Sequence, residues 1–288
     1  MAATVNVNGR ITGEQDAAIS VFDHGFLYGE GIYETLRTYN SRPFLYARHA
    51  ARLRRSAQMI VLPLPFRDDD LAARISATMA AASLDGAEAY IRVLVTRGIG
   101  DLTYDPRATP TPSLVIIVKP QVDPPSEVFE RGVRVVITAI VRNHPHTVNP
   151  MIKSNNLLNS ALAMQEALRR GGFEGLMRNY RGELTECTTS NLFVVKRGSP
   201  LTPPIDAGLL PGITREYLFE IGRDIGVPVS EAVLRDDDLF GADEAFLTST
   251  TRELVPIVQV DDRIIGTGRP GPVTQALLTE FRRRAWSQ

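Results

Sequence analysis

Four short stretches carry side chains whose types and order could do chemistry. Lys153 lies in Asn149-Pro-Met-Ile-Lys-Ser-Asn-Asn-Leu-Leu158, and Glu186 follows in Leu184-Thr-Glu-Cys-Thr-Thr-Ser-Asn-Leu-Phe193. Next comes a turn, Leu209-Leu-Pro-Gly-Ile-Thr214, and then Thr248-Ser-Thr-Thr-Arg-Glu253. In chain order these supply an amine, a carboxylate, a helix start and a hydroxyl-rich turn. An amine can condense with an aldehyde, and a carboxylate can keep a heteroaromatic nitrogen protonated. A helix start and a turn rich in donors can each cradle a phosphate.

Pyridoxal 5′-phosphate (PLP) is the cofactor that calls for all four. A free lysine titrates near pH ~10.4, so a Schiff-base lysine must be partly desolvated or placed near positive charge. Lys153 follows Pro-Met-Ile at an expected strand end, before an expected helix, which would aim its amine into a cleft. By position alone it reads as an ordinary surface lysine, and Glu186 alone as a glutamate in a hairpin after Arg181-Gly-Glu-Leu. Gly212 allows close backbone approach. Ile213 and Thr214 offer N–H groups at the positive end of a helix dipole, and Ser249, Thr250 and Thr251 offer a second donor group. A phosphate dianion also needs a cation. Arg48, Arg52, Arg54 and Arg55 are all available in one helix, and periodicity does not choose among them.

The elements that must position these groups can be read from the pattern. Arg48–Ile60 and Leu71–Ala82 have helical spacing or composition, as do Thr214–Ile225 and Pro272–Trp286. Ser154 is placed to cap a helix that stops at Gly171-Gly172. Strand-like stretches are Thr4–Val7, Ile19–Val21, Tyr90–Thr96, Leu114–Val118, Val133–Val141, Leu192–Val195 and Ala245–Thr248. Without regular βαβ alternation, the class expected is α+β. Three prolines within Lys119–Ser126 mark the boundary, because proline continues neither helix nor central strand. The expected organisation is a small α+β domain over 1–119, a linker over 120–130 and a larger domain over 131–288 carrying Lys153.

Bulk properties narrow the classes. The chain has 288 residues, 43% of them hydrophobic, with net charge −1, one cysteine and four histidines. Near-neutrality gives no field to recruit nucleic acid or an anionic membrane. A single Cys187 cannot form an internal disulfide, which fits a reducing compartment. No apolar run reaches the ~20 residues of a bilayer span, and the N-terminus does not read as a signal peptide, so a cytoplasmic protein is expected. His144-Pro-His146 is the one close histidine pair and has no Cys or carboxylate beside it, so no metal site is expected.

The ordered set of motifs resembles class IV (fold type IV) PLP-dependent aminotransferases, a family of branched-chain and D-amino acid aminotransferases and aminodeoxychorismate lyases. The likeness spans nearly the whole chain, through Asp23-His-Gly-Phe-Leu-Tyr-Gly-Glu-Gly-Ile-Tyr33-Glu-Thr-Leu-Arg37, His49-Ala-Ala-Arg52-Leu53 and Thr248-Ser-Thr-Thr-Arg-Glu-Leu254. It implies a small α+β N-terminal domain, a larger pseudo-barrel C-terminal domain and an active site between them. It implies that Lys153 holds the cofactor as an imine and that Glu186 meets the pyridine nitrogen. It selects Arg52, with Ile213, Thr214 and Thr250, for the phosphate, and puts Leu210 against the ring; Thr188, Thr189, Ser190 and Asn191, read from the residues themselves, add hydroxyl and amide donors beside Glu186 that suit a polar cofactor edge or any loop. Tyr33, Tyr90, Arg92, Arg97, Thr250 and Thr251 become the candidate substrate contacts. The activity implied is ping-pong transfer of an amino group from a small-molecule donor to a 2-oxo acid, in a homodimer with shared sites. Lys153 would move the Cα proton.

The motifs point to different branches. Tyr90-Ile-Arg92 resembles the Tyr-x-Arg strand of branched-chain enzymes, and Leu102 and Tyr104 stand where D-amino acid enzymes carry an Arg-x-His pair. Ile152-Lys-Ser-Asn-Asn-Leu-Leu158 instead resembles the D-amino acid branch, with Leu158 where branched-chain enzymes place a tyrosine on the cofactor O3′. A pocket of Tyr28, Tyr33 and Tyr90 suits an apolar side chain. The reading favours branched-chain or related hydrophobic donors with 2-oxoglutarate. D-amino acid or (R)-amine transamination, aminodeoxychorismate lysis and a non-catalytic protein of the same fold are the alternatives.

Overall fold

The computed structural model describes residues 3–288. The chain divides into two compact units. The first holds the residues up to Val122 together with Ile152–Asn156, and the second holds Asp123–Met151 and Leu157–Ser287.

The first unit contains β1 (Thr4–Val7), β2 (Arg10–Gly13), α1 (His24–Tyr28), β3 (Gly31–Tyr39), β4 (Arg42–Pro43), α2 (Tyr46–Met59), α3 (Asp68–Ala81), β5 (Ala89–Thr96) and β6 (Ser113–Pro120). The strands form one antiparallel sheet in the order β2-β1-β6-β5-β3-β4. Alternation along β3, β5 and β6 sends Ile32, Leu36, Ile91, Val93, Val95, Ile116 and Val118 to one face. There they share a core with Leu53 and Ala57 of α2 and Leu71 and Ile75 of α3. Helix α3 begins at Asp68, ahead of the alanine-rich stretch expected from Leu71. Its three leading aspartates are poor in a helix interior but favourable in the first turn, where the dipole is positive. The Ile19–Val21 stretch is not a strand: it finds no pairing partner, and Ile19 and Val21 are exposed.

The second unit contains α4 (Ser126–Arg131), β7 (Val133–Ile137), α5 (Leu158–Arg169), β8 (Glu174–Arg178), β9 (Leu184–Cys187), β10 (Asn191–Lys196), β11 (Ser199–Thr202), α6 (Ile213–Asp224), β12 (Ser230–Glu231), α7 (Asp236–Phe240), β13 (Glu244–Ser249), β14 (Glu253–Val260), β15 (Arg263–Ile264) and α8 (Pro272–Trp286). Its sheet runs β12-β11-β10-β13-β14-β7-β8-β9, and β9 pairs back onto β10 through Asn191 and Glu186. That last pairing closes β10, β13, β14, β7, β8 and β9 into a barrel. Val135, Leu176, Leu184, Leu192, Leu247, Val255 and Ile257 fill a common core. Phe193 and Phe246 project to the opposite face and stack at 4.8 Å, while α6 and α8 pack on β13. Strands buried on both faces read as continuous apolar runs, which is why Leu192–Val195 lacks alternation. The fold is the α+β, barrel-containing architecture expected.

Two expectations change in detail. The strand beginning at Val133 ends at Ile137, not Val141. Beyond it, the Ala139 N–H turns to the Glu166 carboxylate. Ser154 does not cap α5, which starts at Leu158 with no side-chain cap. Instead Ser154 Oγ accepts from the Asn156 N–H, and the residue bridges to Ile32 of β3.

Candidate active site

Chain order would put Lys153 with the second unit, but its contacts put it with the first. Only Thr38 and Tyr39 of β3 pair with β4, so the Gly31–Tyr33 end of that strand has an edge to offer. The Lys153 segment takes it. The Tyr33 N–H donates to the Lys153 carbonyl at 2.9 Å, and the Asn155 N–H donates to the Gly31 carbonyl at 2.9 Å. The Lys153 N–H donates to the buried Ser56 Oγ of α2 at 3.1 Å. Lys153 is therefore fixed on both sides of its Cα by strand pairing and by a helix hydroxyl. Its Nζ lies 4.5 Å from the centre of the Tyr33 ring, and the Arg92 guanidinium lies 4.0 Å from the same ring. One aromatic ring thus contacts two cationic side chains.

Beside this lies a buried ionic group. Glu34 accepts from Arg52 Nε at 2.7 Å and Nη2 at 2.8 Å, and from His49 Nδ1 at 2.7 Å. Burial pushes the Glu34 carboxyl up. The charge and hydrogen bonds of Arg52, followed by those of His49, outweigh it and hold the group well below the usual carboxylate range. His49 is lowered, by burial first, with Arg52 and Lys153 adding to that and Glu34 opposing it. Of the four arginines in α2, Arg52 is the buried one (3% exposed).

The other candidates in this unit differ in their surroundings. Arg97 donates to Glu30 and to the carbonyls of Ile60 and Val61 at the end of α2, so its guanidinium is engaged in holding the fold. Tyr90 pairs opposite Arg37, whereas Tyr33 pairs opposite Leu94. Four residues of strand separate the two levels, about 13 Å. Tyr90 packs under Lys119, and Tyr28 packs on Tyr104 and His24. The expected three-tyrosine pocket is therefore not assembled within this unit.

In the second unit Glu186 sits where β9 closes on β10, 5% exposed. Its Oε1 accepts from Arg142 Nε at 2.8 Å, and its Oε2 accepts from the Leu210 N–H at 3.1 Å and Asn191 Nδ2 at 3.3 Å. Asn191 Nδ2 also donates to the Leu210 carbonyl at 3.0 Å. Glu186 and Leu210, adjacent in the cofactor assignment, are thus joined directly. Just beyond, α6 begins with Gly212 at its N-cap and no side-chain cap, so no side chain caps the first N–H groups at Ile213 and Thr214. A Cβ at Gly212 would come within 1.9 Å of Asn191 Oδ1. Thr188 is buried, and its N–H donates to the Gly175 carbonyl. Thr250 and Thr251 occupy the tight turn between β13 and β14. Sequence reasoning missed Arg142 and Ser56, because each reaches its partner only through tertiary pairing, whereas Asn191 is the amide donor expected beside Glu186. Cys187 is inert: burial, then the Glu174 charge, pushes its thiol well above the ordinary value.

Residues 31–260 match the family described as amino-transferase class IV, and the chain belongs to that family. It is 36% identical over 278 residues to a Methanocaldococcus jannaschii protein provisionally assigned as a branched-chain-amino-acid aminotransferase (96% of this chain, 95% of the relative). It is 31% identical over 281 residues to the D-alanine aminotransferase of Bacillus licheniformis (98% and 96%). The solved branched-chain amino acid aminotransferase of Escherichia coli superposes with a TM-score of 0.93 at 31% identity (98% and 94%). Class IV aminotransferases use PLP, and solved homologues hold it or its pyridoxamine form. Each unit by itself offers groups of the kind such a cofactor calls for: the first an amine on a fixed strand edge, the second an oriented carboxylate beside an uncapped helix start. Among the described residues, no set of three His, Cys, Asp or Glu side chains could hold a metal, and no helix is long and apolar enough to cross a membrane.

Proposed function

We propose that this aminotransferase moves an amino group from a branched-chain or related hydrophobic amino acid to 2-oxoglutarate in a ping-pong cycle. The observation that carries the reading is the Arg92 guanidinium held 4.0 Å from the Tyr33 ring. An aromatic wall suits an apolar side chain, and a cation beside it suits the carboxylate of the acceptor. The likeness to enzymes named for branched-chain substrates supports the same choice.

Bound PLP supplies an electron sink for negative charge developing at the substrate Cα. Lys153 would hold the cofactor aldehyde and move the proton at the substrate Cα. Glu186 would keep the pyridine nitrogen protonated, its two oxygens aimed by Arg142, Asn191 and the Leu210 N–H. Ile213, Thr214, Thr250 and Arg52 would hold the phosphate, and the N–H groups of Thr250 and Thr251 the substrate carboxylate. Leu210 would pack on the ring, with Thr188 at its polar edge.

A second reading has its own support. Leu158 is exposed on α5 where branched-chain enzymes carry a tyrosine, and the D-alanine aminotransferase of B. licheniformis aligns along almost the whole chain. A donor panel decides between them. Conversion to the pyridoxamine form is followed with L-leucine, L-valine, L-glutamate, D-alanine, D-glutamate and an (R)-arylalkylamine. L-leucine and L-valine should react fastest, and preference for D-alanine would replace the first reading with the second.

We also infer a homodimer. Val21, Phe22, Phe26, Ile99 and Leu102 are each more than half exposed. The Gly100 N–H donates to the Phe22 carbonyl and Asp23 bridges to Ile99, which gathers them into one apolar patch. Sedimentation should give twice the chain mass for the parent. Phe22→Asp with Phe26→Asp should shift it toward monomer, and a monomeric parent would end the inference.

A further inference from the structure

Glu174, at the start of β8, is fully buried, and the turn between β13 and β14 is what balances its charge. One carboxylate oxygen accepts from Arg252 Nη2 and from the Thr189 hydroxyl. The other accepts from the Ser190 hydroxyl at 2.7 Å. Arg252 Nη2 also donates to Thr189 Oγ1 at 2.5 Å. Two loops are therefore tied to one buried charge. The first is Thr188–Ser190, the turn that joins β9 to β10 just beyond the Glu186–Asn191 pair. The second is the turn that carries Thr250 and Thr251, bounded by the Ser249–Glu253 pair.

The second turn has another charge anchor one residue beyond Arg252. Glu253 takes a left-handed φ of 57°, uncommon for a side chain of this type, and accepts from Arg282 Nε of α8 at 2.6 Å. Arg252 and Glu253, adjacent at the C-terminal exit of the turn, thus engage separate charge partners, directly after the Thr250 and Thr251 N–H groups assigned to phosphate and substrate carboxylate. Displacing bound oxygens by a fraction of an ångström weakens such hydrogen bonds steeply.

We propose that the Arg252–Glu174 ion pair, with Thr189 and Ser190, is a positioning device that sets the spacing between the Thr250–Thr251 turn and the Glu186 loop, and so sets affinity for cofactor and amino acid. The proposal rests on the assignment of those two segments to the cofactor site. Arg252 and Glu174 act through the turns they hold and touch no reacting atom.

The test uses the holoenzyme and three variants: Arg252→Lys, Arg252→Gln, and Arg252→Gln combined with Glu174→Gln. The combined variant leaves no buried charge unpaired, so it decides the matter if Arg252→Gln alone does not fold. Equilibrium dialysis measures the Kd for PLP, steady-state rates separate kcat from KM for the amino donor, and melting of the cofactor-free protein reports stability. The combined variant should raise both Kd and KM by about tenfold while kcat stays within about threefold of the parent. Arg252→Lys keeps a charge on Glu174 but loses the second donor to Thr189, so it should fall between. Parental Kd and KM in the combined variant overturn the proposal, whatever its melting temperature. A parent protein that takes up no PLP overturns the underlying site assignment instead.

Discussion

Glu34 is 1% exposed, and its two oxygens take three donors from His49 and Arg52. Replacing it by Gln would leave the Arg52 charge buried beside a neutral amide, a loss of about 3–5 kcal/mol in unfolding free energy by urea titration. The same group makes stability depend on pH. His49 is lowered in the folded protein. In the unfolded chain it takes a proton below about pH 6.5 while the folded chain does not. Unfolded molecules then bind more protons, so stability is full above about pH 6.5 and falls as pH drops, by up to ~1.4 kcal/mol per pH unit. Glu34, also lowered, adds acid loss of the same sign beginning below its unfolded value near ~4.3. His49→Gln should flatten the slope between about pH 6.5 and 5, and a slope unchanged by it would contradict the assignment. Lys153→Ala should abolish the yellow imine absorption and cut kcat by about 10⁴-fold. Retained colour and turnover would remove Lys153 from the mechanism.

The short piece Ile152–Asn156 is held as an added strand on β3, and its closest packing is at Gly31. A Cβ there would lie 2.6 Å from Asn155 Nδ2 and 2.8 Å from the Val95 carbonyl. The amide could swing away, but the carbonyl belongs to β5 and cannot. Gly31→Ala should therefore shift the strand that carries Lys153, lowering kcat by about 10²-fold with a smaller effect on PLP affinity. An unchanged kcat would show that the strand edge does not position the amine. These elements also show how far sequence reasoning carries. Apolar spacing predicts helix α8 as found and α2 to within a few residues, since burial of one face writes a period into the sequence, while β5, β6, β10 and β13 are legible as short runs rich in β-branched and apolar residues. Ser154 misleads because a serine before an apolar run looks the same whether it caps a helix or bridges a strand edge. Arg142 and Glu174 carry no local signal. Their partners, Glu186 and Arg252, lie far along the chain and meet them only once the barrel closes.

At the scale of the molecule, the first unit is discontinuous in sequence: residues up to Val122 need Ile152–Asn156, supplied from beyond the intervening stretch Asp123–Met151. A fragment ending at Val122 would keep the α2–α3 core but expose the Gly31–Tyr33 edge of β3 and leave Ser56 Oγ without the Lys153 N–H. An unpaired edge next to an apolar sheet is a template for association. The fragment, carrying Phe22→Asp and Phe26→Asp to remove the apolar dimer patch, should fold, because most of its core is intact, yet self-associate on sedimentation. A peptide spanning 150–158 should suppress that association by occupying the edge, and the same peptide with proline at Asn155 should not, because it lacks the N–H that donates to Gly31. A fragment that stays monomeric without the peptide would mean the strip contributes little to the unit, and the fixing of Lys153 would then have to be sought in the intact chain alone.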